Sequence, residues 1–166
     1  MTHLLLDSVR LSAMIDAMDV RIEPADVTDL HQVLEDHARY WGERDLRALH
    51  LTALVREFGS TCLVARADDG IRGYLFGFVT PDRTGYVHLV ATRDDARGTG
   101  LGRSLYAAFI EAAARQGAVR LKAITSVTNE GSMAFHRTLG FDARVVEDYD
   151  GPGRPRVVFT RDLLPR

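Results

Sequence analysis

The chain has 166 residues but only one cysteine and one tryptophan, and reading along it finds a single lysine, Lys122. A lone Cys62 excludes an internal disulfide and any multi-cysteine zinc site. In a stretch patterned as a strand it reads as a small buried apolar residue. The scarcity of lysine removes the residue on which a Walker A phosphate loop depends. The histidines show no ligand spacing: His31 and His37 do not share a helix face, so no metal site is expected. The run Leu4-Leu5-Leu6 is too short for a signal or membrane segment. A net charge of −2 offers no basic field to nucleic acid or to an anionic membrane. These absences lead to the expectation of a cytoplasmic protein with neither nucleic acid nor membrane as a partner.

What is present has ordinary globular proportions, 46% hydrophobic and 27% charged, and the length suits one domain with its own core. Chemistry concentrates in residues 85–104, GYVHLVATRDDARGTGLGRS. Residues 86–92 carry the unbroken apolar pattern of a central strand. Arg97-Gly98-Thr99-Gly100-Leu101-Gly102 follows, and Leu101, Leu105 and Phe109 then recur at helical spacing. Alternate glycines let the backbone curl so that successive N–H groups point into one concavity. At a helix N-terminus such a nest favours an anion, most often a phosphate, and Arg97 and Arg103 add charge at its edges. A Rossmann turn needs G-x-G-x-x-G and a carboxylate at the end of the next strand. The spacing here is G-x-G-x-G, and the next strand, 119–125, carries Arg120 and Lys122 but no carboxylate.

Taken in order, residues 1–18 place Leu4, Leu11, Ile15 and Met18 on one face of a short helix. An arm packed on a partner, or a translated leader before Met14 or Met18, fits equally well. A first strand is expected over 20–22, ended by Pro24, then helices over 26–40 and 46–58 broken by Gly42. Strands over 61–67 and 71–80 flank the turn Asp68-Asp69-Gly70, and a second turn at 80–85 leads into the central strand. After the glycine-led helix, capped by Gly117, come a strand over 119–125, a helix over 129–139 and a closing hairpin, 144–149 with 156–161. The order β-αα-βββ-α-β-α-ββ describes a layered α/β domain.

The pattern R-x-x-G-x-G at 97–102, followed by Asn129-Glu130-Gly131-Ser132, Phe135-His136 and Leu139-Gly140-Phe141, resembles the GNAT superfamily of acyl-CoA-dependent N-acyltransferases. The likeness runs over residues 20–166 and is strongest at 89–104 and 129–141. It implies a single-domain GNAT fold, a mixed central β-sheet of about six to seven strands flanked by helices, with an N-terminal extension at 1–18 and the N-acetyltransferase domain at 19–166. It also implies acetyl-CoA as co-substrate. Its pyrophosphate would lie on Arg97, Gly98, Thr99, Gly100, Leu101, Gly102, Arg103 and Ser104, and its pantetheine arm along the backbone of Val90, Ala91 and Thr92. An N–H on that strand would polarise the thioester carbonyl. Asn129 resembles a cofactor-contacting residue or is simply the helix N-cap, and Ser132 stands near the thiol end. Where relatives often carry proline, this chain has Asp94, which predicts a more mobile loop.

For catalysis the resemblance points to His88 as the base for the amine proton and to His136, at a position often held by tyrosine, as the acid for the departing thiolate. Strict alternation puts Tyr86, His88, Val90 and Thr92 on one face of the strand. The bland alternatives are a satisfied core histidine at 88 and a solvated one at 136. Tyr40, Trp41, Tyr74 and Phe76 line the acceptor site or else belong to the core. The acceptor would be a small-molecule or peptide amine, and a homodimer is expected from relatives. A non-catalytic acyl-CoA-binding module is the rival reading, and a dinucleotide oxidoreductase is disfavoured by the absent ribose-binding acid.

Overall fold

Strand β1 (Arg21–Pro24) opens the structure, a computed structural model that describes residues 19–163. The expected extension at 1–18 lies outside the described residues. Asp26 caps helix α1 (Val27–Glu35) in a reciprocal box, each of Asp26 and Asp29 accepting the other's backbone N–H at 2.9–3.0 Å. The expected helix over 26–40 divides at Asp36 into α1 and α2 (His37–Trp41), and Gly42, at φ +61°, ends the second piece. The helix expected over 46–58 shrinks to a 3₁₀ turn at Arg47–Leu49 and α3 (Thr52–Glu57). The break falls at His50, whose ring is drawn inward by bonds to the Leu46 carbonyl and the Tyr74 hydroxyl, both at 2.8 Å. That anchoring outweighs helical periodicity.

Strands β2 (Cys62–Ala67), β3 (Gly70–Val79) and β4 (Thr84–Thr92) form an antiparallel meander. Helix α4 (Leu101–Arg115) then crosses over to β5 (Arg120–Ser126), followed by α5 (Glu130–Thr138), β6 (Asp142–Val146) and β7 (Arg156–Asp162). The seven strands lie in the order β1-β2-β3-β4-β5-β7-β6, and only β4 and β5 run parallel, as a helical crossover requires. Both faces are covered. Leu75, Val87, Leu105, Tyr106 and Phe109 centre the core under α4, while Leu30, Val33, Val64, Tyr74, Phe76 and Leu89 centre the one under α1–α3.

The register of β3 against β4 shifts where Phe76 faces Leu89 but Gly77 faces Val87, leaving His88 as the extra residue of a β-bulge. The bulge breaks the alternation expected across β4. Val87 packs toward α4, whereas Leu89 and Ala91 belong to the α1–α3 side and Val90 turns to α4. Gly77 lies beside this bulge, where a Cβ would stand 2.6 Å from both the Tyr86 carbonyl and the Phe109 ring. Gly77→Ala is therefore expected to lower unfolding free energy by about 1–3 kcal/mol through overpacking, as a shift of the urea midpoint.

Candidate active site

Pairing of β4 with β5 runs from Thr84↔Arg120 to Val87↔Ala123 and then stops, although β4 continues to Thr92 and β5 to Ser126. Beyond that point β4 remains paired with β3, and β5 with β7. The two strands thus split into a wedge whose facing edges carry backbone N–H and C=O groups without sheet partners. Val90, Ala91 and Thr92 lie on one arm of the wedge, Ile124 and Thr125 on the other. An amide-bearing chain entering the wedge finds the hydrogen-bond pattern of an added strand.

The mouth of the wedge leads to the glycine loop. Gly98 and Gly100 adopt φ +73° and +88°, which an L side chain strains to reach. Gly100 is the N-cap of α4 and no side chain caps this 15-residue helix. The first-turn N–H groups of Leu101, Gly102 and Arg103 are therefore left for an outside acceptor. Gly102 serves packing, since a Cβ there would lie 3.2 Å from the Phe135 ring. Ser104 is turned into the helix, its buried hydroxyl donating to the Gly100 carbonyl at 3.2 Å. Thr99 likewise donates to the Ala96 carbonyl at 2.6 Å, and Arg97 reaches back to the Tyr40 carbonyl at 3.1 Å.

Ahead of the loop, ion pairs stand in for the missing proline. Buried Arg93 bonds Asp69 and Asp95, both at 2.7 Å, and Arg39 pairs with Asp94 at 2.9 Å and Asp95 at 3.1 Å. The Arg93 guanidinium, and then Arg39, pull the Asp95 carboxyl down to about 2. The Asp94 departure that predicted a loose loop is tied to α2.

His88 follows Val87, the last residue of β4 that pairs with β5. Its Nε2 lies 2.8 Å from the Leu49 carbonyl. A carbonyl only accepts, so Nε2 carries the hydrogen and Nδ1 holds a lone pair. The segment bearing Leu49 is itself pinned by a polar relay. Trp41 Nε1 donates to Tyr74 Oη at 2.6 Å, Tyr74 donates to His50 Nε2, His50 Nδ1 donates to the Leu46 carbonyl, and the Leu46 N–H donates to His37 Nε2 at 3.2 Å. These members come from three separate segments, α2, the 46–50 turn and β3, so no spacing in the sequence announces them.

Tyr40, Tyr74 and Phe76 are buried in the core, and Tyr40 donates its hydroxyl to the Ile71 carbonyl at 2.7 Å. Burial raises the Tyr40 phenol to about 12. Of the expected acceptor wall, only Trp41 is half-buried. Cys62 is fully buried, its thiol pushed up to about 11 by burial.

His136 overturns the solvated alternative. It is buried and stacks flat on Phe159 with centroids 4.1 Å apart. Its Nδ1 donates to the Ser132 carbonyl at 2.8 Å, and its Nε2 accepts from Tyr106 at 2.6 Å. Both ring nitrogens are therefore committed inside the fold. Ser132 Oγ is 3.2 Å from the same Nδ1. Asn129 is the N-cap of α5, accepting the Ser132 N–H and donating to Thr125 Oγ1, each at 3.0 Å. It fastens the helix to the far arm of the wedge.

The sheet is mixed and split between its one parallel pair, with an uncapped helix start at the mouth of the split. The chain belongs to the Acetyltransferase (GNAT) family, whose pattern matches residues 27–141, and is by that membership an acetyltransferase. It is 29% identical over 140 residues to the L-2,4-diaminobutyric acid acetyltransferase of Marinococcus halophilus, taking in 80% of this chain and 78% of that one. The fold superposes on Ard1 of Thermoplasma volcanium with a TM-score of 0.75 at 18% identity, over 89% of this chain and 99% of that one. The yncA protein of Salmonella typhimurium, solved with its cofactor acetyl-CoA, gives 0.68 at 21% identity, over 89% and 95%. Among the described residues no helix is long and apolar enough to cross a membrane, and no cluster of metal-binding side chains occurs.

Burial lowers the pKa of His50 and His136, so the unfolded chain binds protons that the folded chain refuses. Stability from this source is whole above the ordinary histidine value of about 6.5 and is lost as pH falls through and below it. His136→Phe is expected to cost about 1–3 kcal/mol at pH 7.5, because the buried Tyr106 hydroxyl loses its acceptor. The variant should also show a shallower loss between pH 7 and 5, read from urea midpoints.

Proposed function

We propose that the protein transfers an acetyl group from acetyl-CoA to a primary amine, with donor and acceptor held together and His88 receiving the amine proton. The observation that carries this reading is the vertex of the β4–β5 wedge, where a histidine with a fixed tautomer stands at the first unpaired position. The chain's residues suit acetyl-CoA. The free edge of β4 at Val90, Ala91 and Thr92 matches the amides of a pantetheine arm, and the N–H groups at 101–103, with Arg97 and Arg103 beside them, match a pyrophosphate. When bound, acetyl-CoA supplies an activated acetyl thioester.

The remaining chemistry belongs to the protein. The wedge edge offers fixed N–H donors to an acyl oxygen, in place and needing no reorganisation. His88 Nδ1 accepts the proton that the attacking amine must shed, while its Nε2–H stays on the Leu49 carbonyl and keeps the ring oriented. Alignment of both partners in one cleft supplies much of the rate. Cys62, buried on β2 with its thiol protonated, has no part as a nucleophile. Asn129 and Ser132 hold the start of α5 against β5. His136, with both nitrogens engaged, supports that helix and exchanges no proton with the cleft. The Marinococcus relative, named for a diamino acid, supports a small amine as acceptor.

The test is calorimetric titration with acetyl-CoA against NAD as control, followed by thiol release across a panel of amines. Saturable acetyl-CoA binding, lost in Gly100→Leu, and thiol release with at least one amine are expected. Binding without release from any amine would establish the non-catalytic rival. His88→Ala is expected to lower kcat on the order of a hundredfold near neutral pH, with acetyl-CoA affinity held. An unchanged rate from pH 6 to 9 would remove His88 from the reaction.

A further inference from the structure

The single lysine of this chain lies at the floor of the proposed cleft and, among the described residues, carries no counter-charge. Lys122 pairs in register with Tyr86, one step before the last paired residues, Val87 and Ala123. Its neighbours Leu121 and Ala123 belong to the core under α4, so Lys122 projects to the opposite, α1–α3 face. His88 projects there as well, because its ring bonds the carbonyl of Leu49 between α2 and α3. Tyr86, register partner of Lys122, confirms the face by packing on Phe78, which in turn packs on Phe58 at the end of α3. The wedge vertex thus has a base on one side and an ammonium on the other.

Lys122 is half-buried, and among the described residues its ammonium forms neither an ion pair nor a hydrogen bond. Among the described residues its ammonium faces the ring of Tyr149, 5.9 Å from Nζ, in the loop between β6 and β7. Of the three acidic groups of that loop, Asp150 binds Arg156 at 2.5 Å, Asp148 accepts the Gly153 N–H at 2.8 Å, and Glu147 is exposed and forms no ion pair with Lys122. A half-desolvated ammonium held only by a ring face gains much from an anion, since charge-assisted bonds exceed a cation–π contact.

Resting on the acetyl-transfer reading above, we propose that Lys122 binds the carboxylate of the acceptor and that the acceptor is an α-amino acid. Strand spacing of about 4.8 Å and a rise of about 3.3 Å per residue put the His88 and Lys122 backbones on the order of 8 Å apart. An amine and a carboxylate on one carbon, each with a hydrogen bond of about 2.7–3.0 Å, suit two side chains that rise from one face at such a backbone spacing. Exposed Leu49, next to the site through its own carbonyl, offers an apolar wall to the side chain.

The experiment compares L-α-amino acids, leucine and methionine included, with their carboxamides as acceptors, by thiol release. The protein should favour acids over amides in kcat/KM by on the order of tenfold or more. In Lys122→Met that ratio should fall to near one through KM for the acid, and Lys122→Arg should restore most of it. Equal use of acids and amides by the unaltered protein, or a Lys122→Met ratio that stays high, overturns the proposal. A second arm needs neither turnover nor a variant. Reductive ¹³C-methylation marks one lysine, whose NMR signal is titrated with N-acetyl-L-leucine and N-acetyl-L-leucinamide. A saturable shift with the acid alone supports the carboxylate site; equal responses, or none, overturn it. Should that shift appear while no amine releases thiol, the carboxylate site stands and the transfer reading falls.

Discussion

One constraint organises this molecule: the parallel pairing of β4 and β5 ends at Val87↔Ala123 while both strands continue. Sheet edges are ordinarily a liability, because unpaired N–H and C=O groups invite another chain. Here two such edges face each other across the split. The β-bulge at His88 sits at the point of separation, and bulges bend and twist the strand that carries them. Asn129 secures the other arm by tying the start of α5 to Thr125. The cleft is thereby built from backbone, with few side chains needing to be special.

Around that cleft the polar groups are arranged for fixed geometry. Among the described residues no buried side-chain nitrogen or oxygen lacks a partner, so the buried histidines are held as neutral, oriented rings. His50 and His136 each donate through Nδ1 to a carbonyl and accept at Nε2 from a tyrosine. His88 makes the opposite arrangement, donating through Nε2 and leaving Nδ1 open. The same residue type has both nitrogens engaged in two places and one left open in the third, decided by what each ring touches. The cluster of Arg39, Arg93, Asp69, Asp94 and Asp95 does comparable work for the glycine loop, joining it to α2 and to the β2–β3 turn.

Local chemistry made much of this legible from the sequence. Gly98 and Gly100 announce a nest because only glycine takes their backbone angles freely, and Asn129 announces a helix start by capping it. The element order follows from periodicity and turn residues, and the mixed sheet, expected at about six to seven strands, from the resemblance to the GNAT superfamily. What escaped is non-local. The bulge at His88 depends on the register against β3, so simple alternation misplaced Val87 relative to Leu89. His50 broke a helix that its spacing favoured, because a partner on β3 held its ring. Tyr74 and Phe76 resembled a cleft lining but lie in the core, since the two faces of a sheet covered on both sides look alike in sequence. Lys122 stood out only as a rarity, and its position facing Tyr86 and Tyr149 required the fold.

The central claim is that the split between β4 and β5 receives the donor's amide arm. Amide hydrogen exchange with and without saturating acetyl-CoA tests it most directly. Slowed exchange at residues 88–92 together with 97–104, absent when NAD replaces acetyl-CoA, is the predicted result. Slowing confined to the glycine loop, with 88–92 exchanging as in the free protein, would contradict the account.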